Sequence, residues 1–241
     1  MFLLQVICIK REIPFVIIAN TIKPRFKEKL KAILTRDSVL VLLVSFFSIG
    51  SSFCFLNNLG QLTTSFSFPK TKSSQLVSLF SIFKFFSIVI YWFLKKIPVF
   101  RIPKIMLITM ILLTLMSSTA YLSVAFQGRS SLFLTTAVEG FINGAQSAFL
   151  DELVVTIFGE NMRSMVLAGT QISYTVGSGI SSMMIATLYD KAAKQQLSKL
   201  PMVGNLNQCI GKNCYSLSFT LLGVFKSLSL VPLIKLWNSI G

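Results

Sequence analysis

The sequence contains no histidine. Histidine is the commonest metal ligand and the commonest general base in proteins, so its absence removes the usual centre of metal sites and of acid–base catalysis. Cysteine occurs only at Cys8, Cys54, Cys209 and Cys214, and these positions do not assemble the four or so ligands that zinc requires. We also find no nucleophile–base pair and no glycine-rich phosphate loop. We therefore expect no metal, no cofactor and no enzymatic activity.

Charged residues are scarce as well. They make up 13% of the chain, whereas soluble domains contain about 25%. Hydrophobic residues make up 53%, and the mean hydropathy is +0.72. A water-soluble domain of this length could not bury so much apolar surface. We therefore predict an integral membrane protein whose main partner is the lipid bilayer.

Six apolar stretches are each long enough to cross a hydrocarbon layer of about 30 Å. Backbone groups in lipid must be satisfied within the segment, so each stretch is expected to be an α-helix. The sequence thus predicts an all-α membrane protein with about six transmembrane helices, in a domain that spans residues 38–241. The predicted spans are Val39–Asn57, Gln75–Leu94, Ile105–Phe126, Ser131–Leu153 (or on to Phe158), Ser164–Tyr189 and Tyr215–Trp237.

Residues 1–37 differ from the rest of the chain. Their apolar runs are too short to span a bilayer and are interrupted by basic residues. We interpret this region as a basic cytoplasmic amino-terminal segment or as the remnant of a linker. Within it, Pro24–Arg36 has the pattern of a basic amphipathic helix on the membrane surface, and a plain solvated linker is the alternative.

Basic residues outnumber acidic residues by 23 to 8. Nucleic-acid binding is not expected, because the chain has no arginine-rich helix and no RNA-binding or zinc motif. Lysine and arginine are about twice as frequent on one side of the predicted spans as on the other, which predicts that both termini are cytoplasmic. The sequence does not indicate which membrane holds the protein.

Two charged side chains inside predicted spans are candidates for function. Lys84 lies in the second span and Glu139 in the fourth, at similar depths below the outer face. Ionisable residues within a membrane are functional candidates by default, and opposite charges at one depth could form a charge pair or an ion-coupling site. The alternative is that each side chain faces water separately.

Polar residues continue along both of the later spans. Asn143 and Gln146 share a helical stripe with Glu139, and Gln171 begins a similar stripe in the fifth span. Such stripes line a cavity or, alternatively, join helices by hydrogen bonds. Glycines and serines at four-residue spacing predict close helix approach; they are Gly140, Gly144, Gly169, Ser173, Gly177 and Ser181.

Cys209 and Cys214 lie close together in the last predicted outer loop. Outside the cytosol such a pair can form a disulfide. Two free thiols are the alternative.

Several stretches resemble the carboxy-terminal half of plant nodulin-like transporters, a group of the major facilitator superfamily that includes the NUCLEAR FUSION DEFECTIVE-like proteins. The resemblance covers about residues 25–235, with matching order and spacing. Lys84 replaces the asparagine of the family pattern, and Glu139 stands where an apolar residue is usual. The matching stretches are NNLGQLTTSF (Asn57–Phe66), SIFKFF (Ser81–Phe86), GFINGAQSAF (Gly140–Phe149), TIFGENM (Thr156–Met162), VGSGISSMMIATLYDKAA (Val176–Ala193) and CIGKNCYSLSF (Cys209–Phe219).

The resemblance implies one half of a facilitator fold, built from two inverted three-helix repeats, with solute bound near the midplane between halves. It implies that a small solute moves by alternating access, with this chain acting beside a second copy of itself or another transporter half. A truncated, non-transporting protein that associates with a full-length transporter, or is inactive, is the alternative. The candidate residues on the solute path are Lys84, Glu139, Asn143, Gln146, Gln171 and Tyr174.

Overall fold

The computed structural model describes residues 35–69, 71–197, 211 and 214–240. Within these ranges the backbone forms helices and turns, with no β-strand, so the predicted all-α class is confirmed. The predicted surface helix Pro24–Arg36 lies outside the described residues except for its last two positions. Cys209 also lies outside them, and the proposed disulfide to Cys214 therefore stays a prediction.

Eight α-helices are named here in chain order, and three short helical segments of other types lie between them. A π-helical segment, Ser45–Ile49, joins α1 to α2 without a break. Short 3-10 segments, Pro98–Arg101 and Gly128–Ser130, precede α4 and α5. The α-helices are α1 (Arg36–Val44), α2 (Gly50–Ser65), α3 (Thr71–Leu94), α4 (Pro103–Gln127), α5 (Leu132–Phe158), α6 (Glu160–Leu197), α7 (Ser216–Ser227) and α8 (Leu230–Ser239).

Four helical stretches of the described chain are long and apolar enough to cross a membrane. They are Arg36–Ser65, Thr71–Leu94, Pro103–Ser130 and Ser216–Ser239. Helices α5 and α6 have 27 and 38 residues and match the fourth and fifth predicted spans in position, but they are not among these four. The protein therefore has the apolar helices of a membrane protein, and the count of six spans stays a prediction.

Proline and glycine mark several helix boundaries. Pro103 occupies the first turn of α4, where a missing N–H breaks no hydrogen bond. Gly159 adopts a φ of 74° between α5 and α6, a conformation that suits glycine at a helix end. Pro232 has no N–H to donate to the carbonyl of Leu228, and the turn between α7 and α8 lies at residues 228–229.

The helices pack mainly in three pairs. The continuous helix α1–α2 packs against α6, α3 packs against α5, and α4 packs against α7. Two further contacts, α4 with α5 and α1 with α8, link these pairs into one bundle. Each half of the chain therefore contributes one helix to every main pair.

Glycines lie where two of these pairs come closest. A Cβ atom on Gly140 would overlap the Phe80 carbonyl group, and one on Gly144 would overlap Ser87. In the other pair, a Cβ on Gly177 would overlap the Phe46 carbonyl group. The predicted close approach of helices at these glycines is confirmed.

Large apolar side chains cover the outside of the bundle. Leu112 is 56% exposed, Phe85 is 60% exposed and Met183 is 73% exposed. Such a surface would be unstable in water, and it suits contact with lipid.

Ion pairs lie near one end of α3, α5 and α6. Lys95 Nζ lies 2.5 Å from Glu152 Oε2. The Arg163 guanidinium binds both carboxylate oxygens of Asp151, at 3.1 and 2.6 Å. The hydrogen bond to Asp151 raises the pKa of Arg163. Because these groups are partly exposed, their contribution to stability is at most about 1 kcal/mol each.

Candidate functional site

A buried polar layer separates two apolar cores of the bundle. One core contains Val44, Met110 and Leu153, and the other contains Phe55, Tyr121 and Leu222. Between them, polar side chains from the π-helical segment, α2, α4, α5 and α7 are at most 1% exposed. These side chains are Ser48, Ser51, Ser52, Thr114, Ser117, Glu139, Asn143, Gln146 and Lys226.

An ion pair between Glu139 and Lys226 lies in this layer. Lys226 Nζ lies 2.9 Å from Glu139 Oε2, and both side chains are fully buried. The ammonium also donates to Ser52 Oγ at 2.7 Å, and Ser52 Oγ donates to Glu139 Oε2 at 2.9 Å. Ser117 Oγ donates to the other carboxylate oxygen. Four helices, α2, α4, α5 and α7, are therefore joined through one carboxylate.

The predicted pair of Lys84 and Glu139 is not formed. Glu139 faces Lys226 instead, and Lys84 Nζ lies over the Phe53 ring, 5.2 Å from its centroid. Helices α3 and α5 meet along a face where Gly144 approaches the backbone of Lys84. The two charges lie at similar depths but do not meet, because the Lys84 side chain is directed towards Phe53 of α2 and not towards Glu139 of α5.

Sequence reasoning missed Lys226. The signal was present, since Lys226 lies about halfway along the predicted span Tyr215–Trp237. A lysine at that depth is as costly in lipid as Lys84 is, so it too requires a partner.

The two irregular segments of the bundle lie beside the polar layer. The π-helical segment contributes Ser48, whose hydroxyl donates to Gln146 Oε1 at 2.8 Å. Helix α7 packs against this segment, with the Phe47 and Phe225 ring centroids 4.9 Å apart. It ends one residue after Lys226, whose carbonyl accepts a hydrogen bond from Ser229 Oγ at 2.8 Å. π-Helical turns occur frequently at functional sites.

Gln146 and Asn143 share a stripe, as predicted, but they differ in their contacts. The Gln146 amide accepts from Ser48 and donates to Thr114 Oγ1 at 3.0 Å. The Asn143 amide is fully buried and has no hydrogen-bond partner among the described residues. The stripe lies inside the bundle and not on an open surface, so Gln146 joins helices by hydrogen bonds.

A different set of residues lies on a more open face formed by α2, α3 and α6. The Phe53 and Tyr174 rings stack with centroids 4.9 Å apart and an interplanar angle of 11°. Asn57 lies one turn after Phe53, is exposed, and donates to Ser178 Oγ at 3.5 Å. Lys84 and Tyr174, two of the predicted path residues, each contact the Phe53 ring on this face, which we call the α2–α3–α6 face. Gln171 is exposed on α6, one turn before Tyr174.

Comparison with known proteins agrees with these features. A family model described as "NFD4, C-terminal domain" matches residues 27–238. The chain belongs to this family. The resemblance to NUCLEAR FUSION DEFECTIVE-like proteins that the motifs predicted is thereby confirmed.

One relative of this NFD4 C-terminal domain protein is Protein NUCLEAR FUSION DEFECTIVE 4 of Arabidopsis thaliana. The two are 25% identical over 221 residues, which cover 88% of this chain and 37% of the relative. The chain therefore spans little more than a third of the relative's length. No solved structure matches the chain.

The described part of this NFD4 C-terminal domain contains no group of three or more histidine, cysteine, aspartate or glutamate residues that could hold a metal ion. Within the bundle, Glu139 and Lys226 form an ion pair and Lys84 contacts an aromatic ring. The α2–α3–α6 face presents a charged group, hydrogen-bonding groups and aromatic surface.

The contrast between Gln146 and Asn143 in this NFD4 C-terminal domain is testable. Gln146→Leu is expected to lower the free energy of unfolding by about 1 kcal/mol, because Ser48 and Thr114 lose a partner inside the bundle. Asn143→Leu is expected to raise it by about 1 kcal/mol, because a buried amide without a partner is replaced by an apolar group. Denaturant unfolding in detergent micelles measures both. Equal destabilisation by the two variants would contradict the assignment.

Proposed function

We propose that the chain forms one half of a membrane transporter of the facilitator type, which moves a small solute by alternating access. The proposal includes six membrane spans: α1–α2, α3, α4, α5, α6 and α7–α8. It assigns the chain no enzymatic activity. The observation that carries it is the symmetry of the helix packing.

The helix contacts have the same pattern when the first three spans are exchanged with the last three. The exchange replaces span one by four, two by five and three by six. The contact between spans one and five then corresponds to the contact between spans four and two, and the contact between spans three and six corresponds to itself. The weaker contacts of span three with four and of span six with one also exchange. Two inverted three-helix repeats would produce this pattern, which supports a half-transporter of the facilitator type.

The α2–α3–α6 face is proposed as one wall of the solute path. Spans one, two and five supply it. The family resemblance implies that spans one, two, four and five line the path. Tyr174, Phe53, Lys84 and Asn57 offer an aromatic surface, a cation and an amide there. The second wall would come from a second copy of this chain or from another transporter half.

The proposal places both termini in the cytoplasm. The excess of lysine and arginine near the first span and in the loop between α3 and α4 supports this orientation. A fluorescent protein fused after Gly241 is expected to fluoresce in intact bacteria, whereas a periplasmic phosphatase at the same position should be inactive. The reverse result would overturn the orientation.

Solute uptake tests the transport proposal. The chain, alone and co-expressed with the preceding part of its Arabidopsis relative, is reconstituted in liposomes and assayed with a panel of labelled sugars, amino acids and organic acids. Uptake above that of empty liposomes is expected for at least one solute. Tyr174→Ala is expected to reduce that uptake at least about tenfold, since the ring contributes to the path wall.

Leu112→Ala is the matched control for Tyr174→Ala, because Leu112 is exposed on α4, outside the proposed wall. It should leave uptake unchanged. If folded protein were present in the liposomes and no solute entered under any combination, the transport proposal would be wrong.

A further inference from the structure

Lys84, on α3, lies against Phe53 of α2 on the α2–α3–α6 face. Its ammonium is 5.2 Å from the centroid of the Phe53 ring, and that ring stacks on Tyr174. The Lys84 side chain is half-buried. The residue therefore presents a positive charge beside the Phe53 ring, within a helix that is apolar enough to cross a membrane.

Three carboxylates of the described chain are already paired with other cations. Glu139 is paired with Lys226, Asp151 with Arg163, and Glu152 with Lys95. Lys84 has no carboxylate within 4.0 Å among the described residues. The Glu139–Lys226 pair is the most important of the three. Glu139 is the acidic side chain at the depth of Lys84, and its carboxylate is already bound to Lys226.

A lysine inside a membrane span is costly unless a partner balances its charge. Contact with one phenyl ring offsets only part of that cost. The missing partner would be an anion that arrives from outside the described chain. A solute that binds at the proposed wall is placed to supply it.

We propose that Lys84 binds the carboxylate of a small organic anion whose apolar part contacts the Phe53–Tyr174 aromatic pair. This inference rests on the proposed function, because it names the chemical class of the solute that the path would accept. One ammonium matches one carboxylate in charge. The aromatic pair favours an organic body over an inorganic anion, which gains nothing from apolar contact.

Asn57 and Ser178 add uncharged hydrogen-bonding groups one turn away from the aromatic pair. The Asn57 amide nitrogen lies 3.5 Å from Ser178 Oγ, a long contact that a solute oxygen could replace. These groups would orient a hydroxyl or carbonyl oxygen of the solute without adding charge.

Benzoate and benzamide form a matched pair of probes, since they have the same shape and differ in charge. Binding to the full chain in lipid nanodiscs is measured by isothermal titration calorimetry. Benzoate is expected to bind and benzamide to bind at least about tenfold more weakly, because the charge-assisted contact to Lys84 is lost. Lys84→Asn is expected to weaken benzoate binding at least about tenfold, and Lys84→Arg should retain most of it.

Lys72→Asn is the matched control. Lys72 lies in the first turn of the same helix, with its ammonium 5.9 Å from the centroid of the Phe133 ring. It therefore shares the charge and the aromatic contact but lies away from the α2–α3–α6 face. Benzoate binding should be unchanged in this variant.

Several outcomes would overturn the inference. They are equal binding of benzoate and benzamide, unchanged binding in Lys84→Asn, no benzoate binding at all, or displacement of benzoate by equimolar phosphate. Uptake of a neutral solute that is insensitive to Lys84→Asn would remove this inference and leave the transport proposal standing. Benzoate binding that depends on Lys84, without uptake of any solute, would support this inference and overturn the transport proposal.

Discussion

Lys226→Met is expected to lower the free energy of unfolding by about 3–5 kcal/mol, because it leaves the Glu139 carboxylate buried without its cation. Both side chains have no exposed surface, so water cannot replace the lost partner. The Ser52 hydroxyl also loses the ammonium that donates to it. Unfolding of the purified chain in mixed micelles, titrated with sodium dodecyl sulfate, measures the change.

The double variant Glu139→Gln with Lys226→Met separates the ion pair from the packing around it. It should recover most of the loss, because no buried charge then remains without a partner. Lys235→Met is the matched control, since Lys235 is an exposed lysine near the end of the same span and should change stability by no more than about 0.5 kcal/mol. Equal stability of the Lys226 and Lys235 variants would show that the pair contributes nothing.

The position of this pair suggests a role in assembly of the bundle. In lipid, apolar surfaces of helices do not prefer one another over lipid tails, so register must come from close packing and polar contacts. Glu139 is bonded to groups from α2, α4 and α7, and a vertical or rotational shift of any of these helices would break a contact. The pair therefore stabilises one arrangement of four helices.

The sequence predicted the helices better than it predicted their contacts. Apolar runs bounded by charge or proline define a span, and the predicted span Gln75–Leu94 ends at the residue where α3 ends. The π-helical segment Ser45–Ile49, which packs against α6, could not be predicted in this way, because a change from α- to π-helical hydrogen bonding leaves the apolar run unbroken. Serine spacing within a span does not distinguish a π-turn from an α-turn.

The predicted pair of Lys84 and Glu139 failed for a geometric reason. Counting residues along a span gives depth, but it does not give the direction of a side chain around the helix axis. The glycines Gly140 and Gly144 bring the backbone of α3 close to α5, and the Lys84 side chain is directed to Phe53 instead. Because Lys226 lies about halfway along the sixth predicted span, depth alone leaves two candidate partners for Glu139.

Glycine spacing, by contrast, correctly predicted where helices come close. A substitution at one of these glycines is expected to have the second large effect on stability. Gly177→Ala is expected to lower the free energy of unfolding by about 1–3 kcal/mol. The new Cβ would overlap the Phe46 carbonyl group and lie against the backbone of the neighbouring helix, where no side chain can move aside. Thermal unfolding in detergent, followed by circular dichroism, measures the change.

Gly179→Ala is the matched control, because a Cβ at Gly179 meets nothing within 4 Å. The same chemical change two residues along α6 should therefore stabilise the helix, by up to about 1 kcal/mol, through the higher helix propensity of alanine. Opposite signs for the two variants would show that α6 touches the first span at Gly177. If both variants were neutral, the first and fifth spans would be further apart than described.

The same two variants should also differ in binding at the α2–α3–α6 face. Phe53 of the first span stacks on Tyr174 of α6, so a shift of α6 caused by Gly177→Ala should weaken binding there. Gly179→Ala should leave that binding unchanged.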